Sequence, residues 1–305
     1  MSTIEPKTAT RLQLPRISAR RRTTDRVMRA LLAAATMIAL VPLVLVIYYL
    51  LKEGLGSMTS AGFFTQDPTG SFFGQIGGIR SALLGSLEIV AIAAAIAIPI
   101  GIGLAVFLVE YGGKGSKPMR VFANTVRYFV DVMTGVPSII FGLFIYITLV
   151  ISHIGGNFAG WKGSVALSLL MLPIVARSTE LVLQTVPDTL REAALALGAP
   201  RWRVTSRVVL PAALPGIVTG SLLATARALG ETAPLLFTVA VANALTFNPS
   251  QQMNSMPVQI YNDILSPRSI VNSQAWGLGL TLVLIVLILN LVARGISRKS
   301  RSAGS

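Results

Sequence analysis

Two arginines lie in stretches of sequence that are otherwise apolar, and a carboxylate follows one of them at helical spacing. Arg227 and Glu231 are four residues apart, which places both side chains on one face of a helix. A guanidinium group binds the oxygens of an anion through two parallel hydrogen bonds and compensates its charge away from water. We therefore predict that Arg177 and Arg227 mark the path of an anion. Thr232 belongs to the same path, and Glu231 recovers Arg227 once the anion has left.

The same residues also admit structural explanations. An arginine near the centre of a membrane-spanning helix costs about 2.5–3.5 kcal/mol on insertion scales, so it is expected to face the bundle interior or water. Arg177 can instead extend to its helix end, about 10 Å away at 1.5 Å per residue. Arg227 lies about 22 Å along its apolar stretch, but it can form a purely structural pair with Glu231. Glu88 is expected to pair with Arg80 or with another subunit.

Residues 135–138 interrupt another apolar stretch. Pro137 cannot donate a hydrogen bond to the carbonyl of Met133, and its ring disfavours a straight helix. A broken helix at membrane depth is tolerated where it lines a cavity, and the N-terminus of its second half favours anions. We therefore add Pro137 and Ser138 to the predicted anion path, with a simple proline kink as the alternative.

A segment with four arginines separates two of the apolar stretches. Residues 191–211 read REAALALGAPRWRVTSRVVLP. Asp188 is placed to cap the start of a helix, and Gly198 suits the left-handed position that ends one. Pro200 then fits the first turn of a second helix. We expect that second helix to end near Leu210 and Pro211, at the membrane.

The first of these two helices has the composition of a docking element. Glu192 is followed by Ala193 and Ala194, whose small side chains let another protein approach the backbone closely. Glu192 supplies a charged contact beside them. A helix-turn-helix that reads DNA is a competing interpretation, but both ends of the segment lie within a few residues of apolar stretches. A solvated helical loop without a partner is the third interpretation.

The composition is that of a membrane protein. Of the 305 residues, 53% are hydrophobic and 12% are charged, whereas soluble domains have about 25% charged residues. The absence of cysteine excludes disulfides, thiolate nucleophiles and Cys-based metal sites. The single histidine, His153, lies beside glycines, and no phosphate-binding loop of the G-x-x-x-x-G-K-S/T type occurs. We therefore expect no catalytic residues, no metal site and no cofactor.

Six apolar stretches are long enough to cross a membrane, which takes about 20 residues. They cover residues 30–51, 82–109, 128–152, 163–183, 212–241 and 274–293. Of the 26 Lys and Arg residues, 20 fall in the N-terminal arm, the second and fourth loops and the tail, and 2 fall within spans. The other 4, Lys52, Arg80, Lys162 and Arg268, fall on the opposite, outer face, where Lys162 and Arg268 are expected to be accessible. This bias predicts that both termini are cytoplasmic, and it explains the net charge of +14 without nucleic acid. The expected fold is an all-α integral membrane protein with six transmembrane helices.

The same pattern divides the chain into four regions. Residues 1–29 are expected to form a basic cytoplasmic arm, and residues 30–76 the first transmembrane helix with an outer loop. Residues 77–293 form a core of five transmembrane helices that includes the cytoplasmic loop 187–211. Residues 294–305 form a basic cytoplasmic tail.

The loop resembles a known family signature. Its glutamate, two alanines, glycine and leucine-proline match the spacing of the EAA loop of ABC-transporter permeases, with Val208 where the family usually has Ile. The resemblance implies a MetI-like permease core in which this loop is the coupling helix received by a separate ATPase subunit. It assigns ATPase coupling to Glu192, Ala193, Ala194, Gly198, Leu210 and Pro211.

Four further segments resemble the PstA-type permeases of phosphate importers. They are GGIRSALLGSLEIV (77–90), GVPSIIFGLF (135–144), LPIVARSTE (172–180) and ARALGETAPLLFT (226–238). This resemblance implies phosphate as the cargo, a cell-membrane location, and Arg177 and Arg227 as transport residues. It also implies three partners: a PstC-like permease subunit, a PstB-like ATPase dimer and an extracytoplasmic phosphate-binding protein.

Two other functions remain open at this stage. One is the import of another oxyanion, such as sulfate or molybdate, or the role of the PstC-type half of a phosphate importer. The other is a membrane scaffold without transport. The two intramembrane arginines disfavour a scaffold, which has no use for them.

Overall fold

The computed structural model describes residues 19–68, 77–113, 115–242 and 244–302. Every regular element in these ranges is helical, and the first five are α1 Ala19–Met58, α2 Arg80–Val106, α3 Lys117–Gly135, α4 Ser138–Ile145 and α5 Gly160–Gln184. The remainder are α6 Asp188–Ala196, α7 Arg201–Val204, α8 Leu210–Leu229, α9 Ala233–Leu236, α10 Met256–Ile264 and α11 Ser269–Ser302. Three π-helical turns continue α2, α4 and α7: Phe107–Tyr111, Tyr146–Val150 and Thr205–Val209.

The chain divides into two compact units, residues 1–49 and residues 50–305. The described part of the first unit consists of α1 alone. This helix begins at Ala19, eleven residues before the predicted start of the first span at residue 30. The rest of the predicted N-terminal arm, residues 1–18, lies outside the described residues. The second unit contains the other ten helices that the structure describes.

Five helices are long and apolar enough to cross a membrane, and a sixth span exists if α3 and α4 count as one. This confirms an all-helical membrane fold. The predicted interruption of the third apolar stretch, residues 128–152, is present, and α3 and α4 meet there at 102°. Pro137, which lacks an amide N–H, stands immediately before α4. The break is much sharper than a simple proline kink, and Arg127 belongs to α3 instead of a loop.

The predicted fifth span is wrong at both ends. The second loop helix does not stop near Pro211, because residues 201–229 form one helical run through the π-helical turn Thr205–Val209. That wide turn contains Arg207, the residue whose carbonyl Pro211 cannot satisfy in a regular helix. At the other end, α8 stops at Leu229 and not at residue 241. Pro234 explains the stop, since its ring would clash with the carbonyl of Gly230 in a continued helix.

Small residues let α5 pack closely against its neighbours. A Cβ atom added at Gly101 of α2 would lie 2.8 Å from Val175, and one at Gly216 of α8 would lie 2.6 Å from Val182. Close backbone approach of this kind is how helices associate where no hydrophobic effect drives them together. The central core cluster accordingly joins α2, α5 and α8, with α5 between the other two.

Lys162 contradicts its predicted place in an exposed outer loop. Its side chain is fully buried at the start of α5. The Nζ atom donates hydrogen bonds to the carbonyls of Leu149, Gly156 and Asn157 at 3.0, 2.7 and 2.6 Å. A buried ammonium group needs this many acceptors, so Lys162 closes the turn between α4 and α5 and is not available to reagents.

The expected Glu88–Arg80 pair is also not formed. Arg80 instead donates to Asp67 from Nε and Nη2, at 3.2 and 2.8 Å. These hydrogen bonds from Arg80 hold the pKa of the Asp67 carboxyl below its usual range, because they stabilise the charged form of the carboxyl. One carboxylate oxygen of Glu88 is buried without a hydrogen-bond partner among the described residues.

Candidate functional site

Arg227 and Glu231 form an ion pair at the end of α8. The Nε and Oε1 atoms are 3.5 Å apart, and the side chains are 64% and 17% exposed. The contact is therefore loose and open on the arginine side, unlike a buried structural pair. Arg227 lies in the last turn of its helix, and the chain leaves the helical path before Glu231.

The end of α8 nevertheless lies at mid-depth in the bundle. Gly220 packs against Ser178 of α5. From that contact α8 continues nine residues to Leu229, whereas α5 continues eighteen residues back to Gly160. At 1.5 Å per residue, α8 ends about 13 Å short of the end of α5. Arg227 is therefore placed near the middle of the bundle, as a deep arginine, although the helix that carries it stops there.

Arg177 takes part in a cluster of charges that the sequence analysis did not identify. Its Nη1 atom donates to Oε2 of Glu180 at 2.8 Å and lies 3.9 Å from Asp131. Arg127 of α3 donates to the other oxygen of Glu180 at 3.0 Å. The Glu180 side chain is 3% exposed and Arg177 is 44% exposed. Glu180 thus joins α5 to α3 through Arg127, and Arg177 shares the same carboxylate.

The two arginines stand at different levels. Ser178, next to Arg177, contacts Gly220, and Arg227 follows Gly220 by seven residues. This spacing corresponds to an offset of about 10 Å along the helix axis. Arg177 and Arg227 are therefore two separate cationic positions along α5 and α8, each with its own carboxylate partner.

The broken third span packs against the segment that follows α8. A Cβ atom at Gly142 would lie 2.5 Å from Cα of Pro234, and the rings of Tyr146 and Phe237 are 6.1 Å apart. Both contacts advance along α4 and α9 in the same direction, so the two helices run side by side in parallel. Their first residues therefore lie at the same end.

This packing brings four of the predicted path residues together. Ser138 begins α4 directly after Pro137, and Thr232 immediately precedes α9 with Glu231 before it. Ser138 and Thr232 are both half-buried. Arg227 joins these four residues through its ion pair with Glu231. The sixth predicted path residue, Arg177, lies about 10 Å away along the helix axis.

The loop after α5 contains the left-handed glycine that the sequence predicts. Gly198 has a φ of 78°. Its N–H donates to the carbonyl of Leu195 at 2.9 Å, and the N–H of Ala199 donates to that of Ala194 at 3.3 Å. These two bonds form the motif that ends a helix with a left-handed residue. Nothing lies within 4 Å of a Cβ atom at this position, so only the backbone conformation requires glycine.

The predicted cap at the start of this helix is wrong. Asp188 is the first helical residue, and its side chain makes no capping bond to the backbone. Its Oδ1 accepts a hydrogen bond from Nη1 of Arg191 at 3.1 Å instead. The arginine, one turn away on the same face, competes successfully for the carboxylate.

Most residues of α6 are exposed. Glu192 and Ala193 are exposed and Ala194 is half-buried. Leu197 is 89% exposed and Trp202 59% exposed in the same loop. These two side chains add apolar surface to the exposed part of the loop.

Arg191 anchors α6 and was missed by the sequence analysis. Its Nε and Nη2 atoms donate to Oε1 of Glu110 at 3.1 and 3.0 Å, and Nη2 also donates to the carbonyl of Leu183 at 2.9 Å. Nη1 donates to the carbonyl of Val186 at 2.6 Å and to Asp188. Only the pairing with Asp188, three residues away, was visible as a sequence pattern.

Similar proteins place this arrangement in a known family. The family model for the binding-protein-dependent transport system inner membrane component matches residues 97–302. The phosphate transport system permease protein PstA of Mycobacterium leprae is 41% identical over 90% of this chain and 89% of its own length. The protein of that name from Yersinia pestis is 38% identical over 92% of both chains.

Solved structures support the same fold. A chain of the MetNI methionine ABC transporter superposes with a TM-score of 0.58 at 19% identity, covering 73% of this chain and 97% of that one. A chain of a bacterial alginate ABC transporter gives a TM-score of 0.61 at 15% identity, covering 91% and 96%. The family match and the near-full-length relatives agree with this fold, and the chain belongs to the inner membrane components of binding-protein-dependent transport systems.

Proposed function

We propose that this chain is the PstA-type permease subunit of an ATP-driven phosphate importer and forms half of its pore. The observation that carries the proposal is the similarity to relatives named for phosphate transport, which extends over about nine-tenths of the chain. The subunit itself performs no chemistry. ATP is hydrolysed by a separate subunit, and α6 transmits the resulting movement to the membrane helices.

The exposed arginines support a path for phosphate. Arg227 presents a largely open guanidinium group in the last turn of a membrane helix, where lipid would make its charge costly. Phosphate oxygens match the planar donor fork of arginine. Glu231, at 3.5 Å, competes for the same group, so phosphate is bound briefly and released. The start of α4 at Ser138 adds the positive end of a half-helix beside this position.

The assembly and orientation follow from the proposed function. A PstC-like permease completes the pore, a PstB-like ATPase dimer receives α6, and an extracytoplasmic phosphate-binding protein delivers the ion. The chain lies in the inner or plasma membrane with both termini and residues 187–211 in the cytoplasm. Residues 1–29 and 294–305 are then cytoplasmic arms on a core formed by residues 77–293.

Uptake of radiolabelled phosphate tests the proposal directly. A strain that lacks this chain should recover saturable phosphate uptake when the gene is restored, and excess sulfate should not compete. Purification of the tagged chain should also yield an ATPase and a second permease. Competition by sulfate would identify another oxyanion as the cargo, and purification without an ATPase would favour a scaffold.

Two serines test the orientation. The chain has no cysteine, so Ser250→Cys and Ser206→Cys each introduce a single reactive group at an exposed position. We expect a membrane-impermeant maleimide to label Ser250→Cys in intact cells and Ser206→Cys only after permeabilisation. Lys162 is unsuitable for this purpose because it is buried. The reverse labelling pattern would overturn the proposed topology.

Gly198→Val should uncouple the loop. A β-branched residue is strongly strained at a φ of 78°, so the turn after α6 cannot keep its shape. We expect the membrane helices to assemble but phosphate uptake per assembled complex to fall by about tenfold. Gly198→Asn is the matched control, because Asn tolerates left-handed geometry, and it should retain most of the uptake. Equal uptake by both variants would remove the turn from the coupling mechanism.

A further inference from the structure

We infer that Arg191 is a positioning residue that ties α6 to the adjacent ends of α2 and α5, so that the three segments move as one body. The inference rests on the proposed function, because it concerns how movement of α6 reaches the membrane helices. It concerns a residue that lies outside the docking face of α6.

Every hydrogen-bond donor of the Arg191 side chain is in use. A guanidinium group has five N–H donors in a fixed plane. Two of them meet Glu110 in the π-helical turn that continues α2, and two meet the carbonyls of Leu183 at the end of α5 and Val186 just after it. The fifth meets Asp188 within α6. One side chain therefore connects three segments of the chain that do not continue into one another as a helix.

Burial makes this connection stiff. Arg191 and Glu110 are 9% and 8% exposed, so water does not replace the bonds between them. Asp188 is 81% exposed, and its contact with the same arginine is worth little. The mechanical link thus passes through Glu110 and the two carbonyls.

The Arg191–Glu110 pair borders a cavity. The lining of this cavity also includes Leu195, Arg201, Val204 and Thr205. Glu110 and Thr205 both belong to π-helical turns, which are frequent at functional positions. A shorter or less ordered cation at position 191 would lose part of this hydrogen-bond set and leave α6 free to move independently of α2.

Arg191→Lys separates a positioning role from a purely structural one. Lysine keeps the charge but cannot reproduce the planar fork. In proteoliposomes containing the whole importer, we expect ATP hydrolysis within about twofold of the parent but phosphate imported per ATP reduced by about fivefold. Glu110→Gln keeps the shape and one acceptor oxygen and should give a smaller loss in the same ratio. Asp188→Asn, the control on the exposed partner, should leave the ratio unchanged.

Spin labels measure the movement itself without using phosphate. Thr189→Cys on α6 and Gly103→Cys on α2 lie at exposed positions in a chain without cysteine. In the assembled complex the distance distribution between the labels should stay narrow and unchanged on ATP binding. Arg191→Lys should broaden this distance distribution both with and without ATP.

The two measurements distinguish the possible failures. A parental ratio of phosphate to ATP in Arg191→Lys, or a label distance that stays narrow in that variant, would overturn the inference. Loss of assembled complex with an unchanged ratio in the remainder would make Arg191 purely structural. If the parental complex imports no phosphate, the proposed function fails, and the label distances still decide whether α2 and α6 move together.

Discussion

Arg227→Lys is expected to assemble with its ATPase at near-normal levels and to import phosphate roughly tenfold more slowly than the parent. The lysine keeps a positive charge at the end of α8 but loses the planar pair of donors that matches phosphate oxygens. The ion pair with Glu231 is loose, and Arg227 is 64% exposed, so the substitution should disturb the fold very little. The measurement is uptake in membrane vesicles, normalised to the amount of assembled complex.

Glu231→Gln provides the matched test of the partner. It removes the competing carboxylate while keeping a similar shape, so phosphate should be released more slowly from Arg227 and import should also fall. For Arg227→Lys, phosphate uptake equal to that of the parent would show that the Arg227–Glu231 pair only supports the structure.

If Arg227→Lys instead prevents assembly of the complex, the expectation that this exposed arginine contributes little to the fold would be wrong.

Gly85→Ala is expected to lower the stability of the fold clearly. A Cβ atom at this position of α2 would lie 2.2 Å from the carbonyl oxygen of Asn254, much closer than non-bonded carbon and oxygen atoms approach each other. Asn254 cannot withdraw easily, because its side chain accepts from the backbone of Ser255 and bonds with Gln259. Overpacking of this kind costs about 1–3 kcal/mol or more, so we expect the unfolding midpoint of the purified complex to fall by about 5 °C.

Gly103→Ala is the control within the same helix. No atom lies within 4 Å of a Cβ at this position. Alanine is the better helix former by about 0.5–1 kcal/mol, so this variant should be unchanged or slightly more stable. Similar midpoints for the two alanine variants would contradict the close contact between α2 and the segment before α10.

Local conformational rules made part of this site predictable. The left-handed turn at Gly198 depends only on the residues of the turn itself, and the spacing of Arg227 and Glu231 shows their proximity without any tertiary information. Pro234 also carried a usable signal: it stood within the predicted fifth span, and it is the residue that prevents α8 from continuing. The length of the apolar stretch outweighed this signal in the prediction, although an apolar segment can leave a helix and stay buried.

The burial of Lys162 and the charged partners of Glu180 and Arg191 depend on tertiary contacts, so they could not be predicted from the sequence. Lys162 stands in a short segment between two apolar stretches, and only the folded turn between α4 and α5 supplies the three carbonyls that bury it. Glu180 is three residues from Arg177, a spacing that fits a pair on one helix face, but that pair was not predicted, and the second partner of Glu180, Arg127, comes from another helix. Arg191 and Glu110 are similarly far apart in sequence, and no spacing rule relates them.

The unbroken run from Arg201 to Leu229 makes a single rod of the element that leaves the loop and the element that carries Arg227. At 1.5 Å per residue, about 39 Å separates Arg201 from Arg227. If the loop end is held, a tilt of about 5° displaces the far end by about 3.5 Å, more than the length of a hydrogen bond. A tilt of this size is sufficient to separate Arg227 from its present neighbours, so the rod would convert a slight angular change at the loop into a change of partner at the proposed anion path.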